Sequence, residues 1–196
     1  LLRNQGSRGV GINIQHGVGV QLFIKQAGSD IQKSTISIHD LKGNLLPDSD
    51  ILYRDLINDL VYAKLIDADV SFDICISLEL PTSQGFGMSA SGLIAVALAF
   101  REYSKRGNID QYYRICHRIE RQHGSGLGDV LGIYAGGVEI RLQPGAPGAS
   151  GTSLGFRCKQ PIVLVWQPEE SRHTSKYIND VNWQTKITKA GHKALN

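Results

Sequence analysis

Hydrophobic and polar residues alternate strictly in one stretch, with Phe72, Ile74, Ile76, Leu78 and Leu80 on one parity and Asp73, Cys75, Ser77 and Glu79 on the other. A period of two is that of a strand with one buried face. Gly9 to Lys25 alternates more loosely, with Val10, Ile12, Ile14, Val18, Val20, Leu22 and Ile24 in phase, and predicts one long strand or two joined near His16-Gly17. Lys33 to His39, Val138 to Leu142 and the apolar run Pro161 to Trp166 read as further strands. Helical spacing takes over at Ile51, Leu52, Leu56, Leu60, Val61 and Leu65, after Pro47, Asp48 and Ser49, which supply turn and capping chemistry. Leu93 to Phe100 is apolar, rich in alanine and free of proline, as a buried helix is. Gly107-Asn108 closes that helix, and Asn108 or Asp110 caps the next, which buries Tyr112, Tyr113, Cys116 and Ile119 and ends at Gly124. Gln143 to Gly155, rich in Gly, Pro, Ala and Ser, is the best linker candidate, and helical patterns resume from Thr174.

Composition narrows the classes. With 41% hydrophobic and 20% charged residues, global disorder is excluded. The formal charge of +3 is small and the lysines and arginines are dispersed, so a nucleic-acid partner is not expected, while anionic small molecules remain compatible. Cys75, Cys116 and Cys158 are odd in number and lack metal-ligand spacing, which points to a reducing, cytoplasmic setting rather than a disulfide framework or a zinc site. The Leu93 to Phe100 stretch is far too short to span a bilayer, so no membrane association is expected. The chain opens without Met and its last residues, Lys189 to Asn196, still read as helix, as in a fragment of a longer protein.

Between the alternating strand and the apolar helix runs Pro81-Thr82-Ser83-Gln84-Gly85-Phe86-Gly87-Met88-Ser89-Ala90-Ser91-Gly92. Small residues leave backbone N–H groups uncovered there, and a helix start adds about half a positive charge, so an anion such as phosphate is favoured. No Gly-Lys-Ser or Gly-Lys-Thr follows, so this is not the common P-loop, nor is it a dinucleotide fingerprint. A second constellation, Glu120-Arg121-Gln122-His123-Gly124-Ser125-Gly126-Leu127-Gly128-Asp129, sets one carboxylate near a helix end and delivers another on a Gly-rich loop. Phosphoryl transfer needs such a pair, because magnesium wants hard oxygen ligands and the acceptor hydroxyl needs a base or orienting partner.

The first run resembles the second motif of the GHMP kinases, with Pro81, Gly85, Phe86, Gly87, Ser89 and Ala90 matching; Met88 departs from it, standing where a serine is usual. The Glu120 to Asp129 segment, followed by Gly136-Gly137, resembles the same family's next conserved region. That resemblance implies ATP and magnesium as cofactors, with the phosphates at Pro81 and Gly85 to Ser91 and the metal at Ser89 and Glu120, Ser91 being the fallback hydroxyl. It implies Asp129 as the base near the substrate hydroxyl. Gly6-Ser7-Arg8-Gly9-Val10-Gly11-Ile12, Gly87-Met88-Ser89-Ala90 and Gly126-Leu127-Gly128-Asp129-Val130, with Pro144 to Gly148, are similar to the archaeal members of the family that phosphorylate pantoate for coenzyme A. By that likeness Ser7, His117 and Arg141 contact the acceptor, with Arg8 a weaker candidate. The implied fold is α/β in two layers, with a left-handed βαβ unit in an ATP-binding domain over 1–142 that lacks its first strand, a linker over 143–160, and the start of a second domain over 161–196. A homodimer is implied as well. Two alternatives stay open: a sister kinase of this family acting on homoserine, shikimate or a mevalonate derivative, and a non-catalytic nucleotide-binding protein of the same fold.

Overall fold

The computed structural model describes residues 4–47, 49–167 and 175–195. Two three-stranded sheets carry the architecture. In one, β2 (Val18–Ala27) and β3 (Thr35–His39) flank β4 (Val70–Leu78), β2 antiparallel and β3 parallel to it. The parallel pair is joined by helix α1 (Ile51–Tyr62), since two parallel neighbours need a crossover, which makes the βαβ unit. In the other sheet, β5 (Val138–Gln143) lies between β1 (Gly9–Ile12) and β6 (Thr152–Phe156), all antiparallel.

The loose alternation of residues 9–25 therefore becomes two strands that belong to different sheets. Asn13 anchors the crossing: its side-chain amide donates to the carbonyls of Gly132 and Gly137, each at 3.0 Å, and its own N–H donates to Gly137 at 2.8 Å. These bonds tie the chain between the two strands to one carbonyl inside the helix Asp129–Ala135 and one just after it.

Helix α2 (Met88–Ser104) begins at the Gly-rich run, earlier than its apolar stretch, and α3 (Ile109–His123) follows. Asn108 caps α3 in a full capping box with Gln111, as its sequence predicts. For α1 the expected capping is not seen at Ser49, whose hydroxyl donates to Pro47; Asp50 stands at the N-cap without a side-chain cap bond and pairs with Arg54 at 2.6 Å instead. Asp48 and Thr174 lie outside the described residues. The core joins Phe72, Ile74 and Ile76 of β4 to Leu56 and Leu60 of α1, Leu93, Val96 and Phe100 of α2, and Tyr112 and Ile119 of α3. Strict alternation in β4 is thus read out as one buried face.

Three local readings change. Helix α4 (Asp129–Ala135) occupies a segment that reads only as loop, and the linker stretch contains β6, paired to β5 from Val138↔Phe156 to Gln143↔Thr152. Pairing uses backbone groups, so a Gly- and Ser-rich sequence can supply a strand without a side-chain pattern. The run Pro161 to Trp166 forms no strand, because no neighbouring strand meets it among the described residues. Its Val163 and Val165 are 86% and 83% exposed, while Leu164 packs on the core and Trp166 meets Phe86 edge-on, ring centres 6.1 Å apart. A one-turn helix α5 (Ser175–Ile178) and a longer helix α6 (Val181–Leu195) follow.

Candidate active site

The loop before α2 turns through left-handed backbone, with φ of 58° at Ser83, 81° at Gly85 and 64° at Gly87, the N-cap. The first hydrogen bond of the helix runs from Ser91 N–H to the Gly87 carbonyl at 2.9 Å, so the N–H groups just before it have no acceptor inside α2. They are the donors an anion would meet at the positive end of a long helix. A Cβ placed on Gly87 would stand 3.7 Å from Cβ of Asp129, so only about the width of one methyl group separates the loop from that side chain.

Glu120 lies in the last turn of α3, where its face is turned inward, and is 1% exposed. The Ser89 hydroxyl donates to its Oε1 at 3.4 Å. Burial first, and then the nearby Asp129 charge, push the Glu120 carboxyl up to about 8, against the Ser89 and Val130 hydrogen bonds and the Arg121 charge. Asp129 opens α4, directly after the Gly128 N-cap. Burial raises its carboxyl as well, and the Arg141 guanidinium opposes that shift. Arg141 projects from β5 with its fork against Gly9 and Gly128, and the Ser7 hydroxyl packs on the same Gly128.

These groups open on a cavity of about 740 Å³. Gly85, Phe86, Gly87, Met88 and Ser89 form one wall, and Ser7, Asp129 and Arg141 another. Glu120 sits just behind the wall, beneath Ser89 and Gly126. Pro81, Ala90 and Ser91 do not line the cavity: Pro81 starts the loop, Ala90 is wholly buried in α2, and Ser91 takes part in the first helical bond. His117 is 1% exposed and outside the lining; sharing a helix face with Glu120 places it in the core, since that face is the buried one. Arg8 is exposed and lines a second cavity of about 680 Å³ with Arg121, Pro144, Tyr177 and residues of α6, which meets the first at Ser7 and Leu127.

Sequence reasoning misses the apolar end of the first cavity, where Ile38, Leu46, Leu52, Tyr53 and Leu78 converge from three separate elements and their loops. No local pattern marks them. His123 also lines the cavity and pairs with Asp55 of α1 at 2.8 Å; its place in the Glu120 to Asp129 run is the one signal that could have found it. Among the described residues no group of three or more His, Cys, Asp or Glu is placed to hold a metal, and no helix is long and apolar enough to cross a membrane.

The model of the GHMP kinases N terminal domain matches residues 54–137. A Thermococcus kodakarensis protein named pantoate kinase is 32% identical over 197 residues, covering 97% of this chain and 60% of that protein. One of the same name from Methanospirillum hungatei is 35% identical over 144 residues, covering 73% and 46%. The chain thus spans 60% or less of the length of these two relatives. A solved structure titled as a phosphotransferase related to the CoA biosynthesis pathway superposes with a TM-score of 0.67 at 26% identity, covering 99% of this chain and 62% of that one.

Proposed function

The chain belongs to the GHMP kinases, and on that premise we propose that the protein is an ATP-dependent kinase that phosphorylates the primary hydroxyl of pantoate, giving 4-phosphopantoate for coenzyme A synthesis. The observation that carries the reading is the meeting of three groups: the N–H groups before Ser91 that have no acceptor inside α2, the buried Glu120 carboxyl at 3.4 Å from the Ser89 hydroxyl, and Asp129 across from Gly87 on the same cavity. A binding protein needs no buried acid pair beside its phosphate cradle. The names of the relatives, pantoate kinase, favour the acceptor.

In this reading the loop from Gly85 to Ser91 wraps the ATP phosphates through its backbone, and the apolar end at Leu46, Leu52 and Tyr53 excludes water from the nucleotide. Ser89 and Glu120 would hold magnesium; two hard oxygens suit an ion that takes its remaining ligands from phosphate and water. Bound there, magnesium supplies charge neutralisation to the phosphates. Asp129 accepts or orients the proton of the acceptor hydroxyl, while Arg141 and Ser7 hold the acceptor's carboxylate and second hydroxyl. His117 and Arg8 drop from this contact set, one by burial and the other by facing the second cavity. We read the protein as a cytoplasmic homodimer, on family resemblance and its free cysteines, and sedimentation of the full-length protein checks the dimer.

The test is incubation of full-length protein with ATP, magnesium and a panel of pantoate, pantothenate, homoserine, shikimate and mevalonate, read by mass. Phosphate on pantoate alone is expected. Transfer to another acceptor would replace the substrate, and ATP binding without transfer to any would leave a non-catalytic protein of this fold.

A further inference from the structure

We propose that Glu139 is a positioning residue of this site: it fixes the Arg141 guanidinium against Gly128, at the start of the helix that carries Asp129. The inference rests on the kinase reading above. Glu139 and Arg141 alternate with Ile140 on β5, so both project to one side of the sheet. In register Glu139 faces Gly11 of β1 and Gly155 of β6, and Arg141 faces Gly9 and Ser153. Small residues on both neighbours clear a floor on which two long side chains lie under α4. A Cβ on Gly11 would overlap the Glu139 carboxylate, and one on Gly132 of α4 would stand 3.1 Å from its Oε1.

Glu139 is 2% exposed, and burying a lone carboxylate is costly unless a cation accompanies it. Its Oε1 lies 3.4 Å from Arg141 Nε, close enough for an ion pair but not aligned as a hydrogen bond, and among the described residues neither that Nε nor Glu139 Oε2 has a hydrogen-bond partner. The pair is therefore held by charge and shape. Arg141 reaches the cavity and Glu139 does not, so the proposed route from Glu139 to the cavity runs through its neighbour. With the Nε side of the planar fork drawn toward Glu139, the Nη groups are left for a carboxylate in the cavity.

In full-length protein, Glu139→Gln keeps the shape and removes the charge. We expect the acceptor KM to rise on the order of tenfold with kcat within about threefold of wild type. In an Arg141→Ala background the same substitution should add less than about twofold, because the residue it acts through is gone. Glu139→Asp, which keeps the charge on a shorter stem, should fall between and carries the comparison if the glutamine variant does not fold. A wild-type KM in Glu139→Gln, or equal effects in both backgrounds, would overturn the proposal. A readout without turnover is the NMR signal of Arg141 Nε–H, identified by its loss in Arg141→Lys. It should shift in Glu139→Gln, and an unmoved signal also overturns the assignment. Absence of any phosphorylated acceptor in wild type would sink the kinase reading, while the NMR signal would still decide the role of Glu139.

Discussion

Asp129 and Arg141 meet at Gly128 but have different roles in the proposed reaction, so their variants should fail differently. Asp129→Asn should lower kcat by about 10²- to 10⁴-fold, the usual cost of losing a general base. Arg141→Ala should raise the pantoate KM instead, and steady-state kinetics on both separates the roles. Glu120 gives a pH prediction. Its folded-state carboxyl, near 8, lies above the ordinary 4.5, so between those values the folded protein binds more protons than the unfolded one. Stability from this group is full below about 4.5 and is lost as pH rises through about 8. Melting of the ligand-free protein should therefore fall over that window, and Glu120→Gln should flatten the fall; an equally steep fall in the variant would contradict the assignment. That Ser89, Glu120, Asp129 and Arg141 lie close together was legible from the order of strand, Gly-rich loop and helix, while their proposed roles came from the family resemblance. The burial of His117 was not legible, since helical spacing tells which residues share a face but not whether that face meets solvent or core.

At the scale of elements, α2 and its loop tie the site together. Gly87 has φ of 64°, so Gly87→Ala strains the backbone, and its new methyl would sit in ordinary contact with Asp129, 3.7 Å from its Cβ. A loss of about 1 kcal/mol or more is expected from the backbone alone, with ATP affinity falling further than melting temperature does; titration with nucleotide beside a thermal melt checks the ratio. Strong periodicity made β4, α1 and α3 readable, and Asn108 marked its helix start by chemistry alone. Helix α4 escaped because seven residues with a central Gly132 give too little periodicity. β6 escaped because it borrows its order from β5, and Pro161 to Trp166 misled because an apolar run is a strand only where a partner strand is within reach.

For the molecule as a whole, the two sheets do separate work. The β2-β4-β3 sheet supplies the core, where Phe72 is fully buried and stacks edge-on with Phe100 at 5.1 Å and Tyr103 at 5.2 Å. Phe72→Ala should cost about 3–5 kcal/mol, seen in denaturant unfolding, with KM unchanged in the folded fraction. The β1-β5-β6 sheet supplies the floor of the site, and its glycines at 9 and 11 are matched to the long side chains they face. That matching limits how the protein can vary. Gly11→Ala forces the buried Glu139 carboxylate to move while position 139 keeps its length, and space returns if that position shortens in the same molecule. In a selection from paired libraries, changes at 11 and 139 should be recovered jointly and rarely singly, so that the two positions, 128 residues apart in the chain, are inherited as one character.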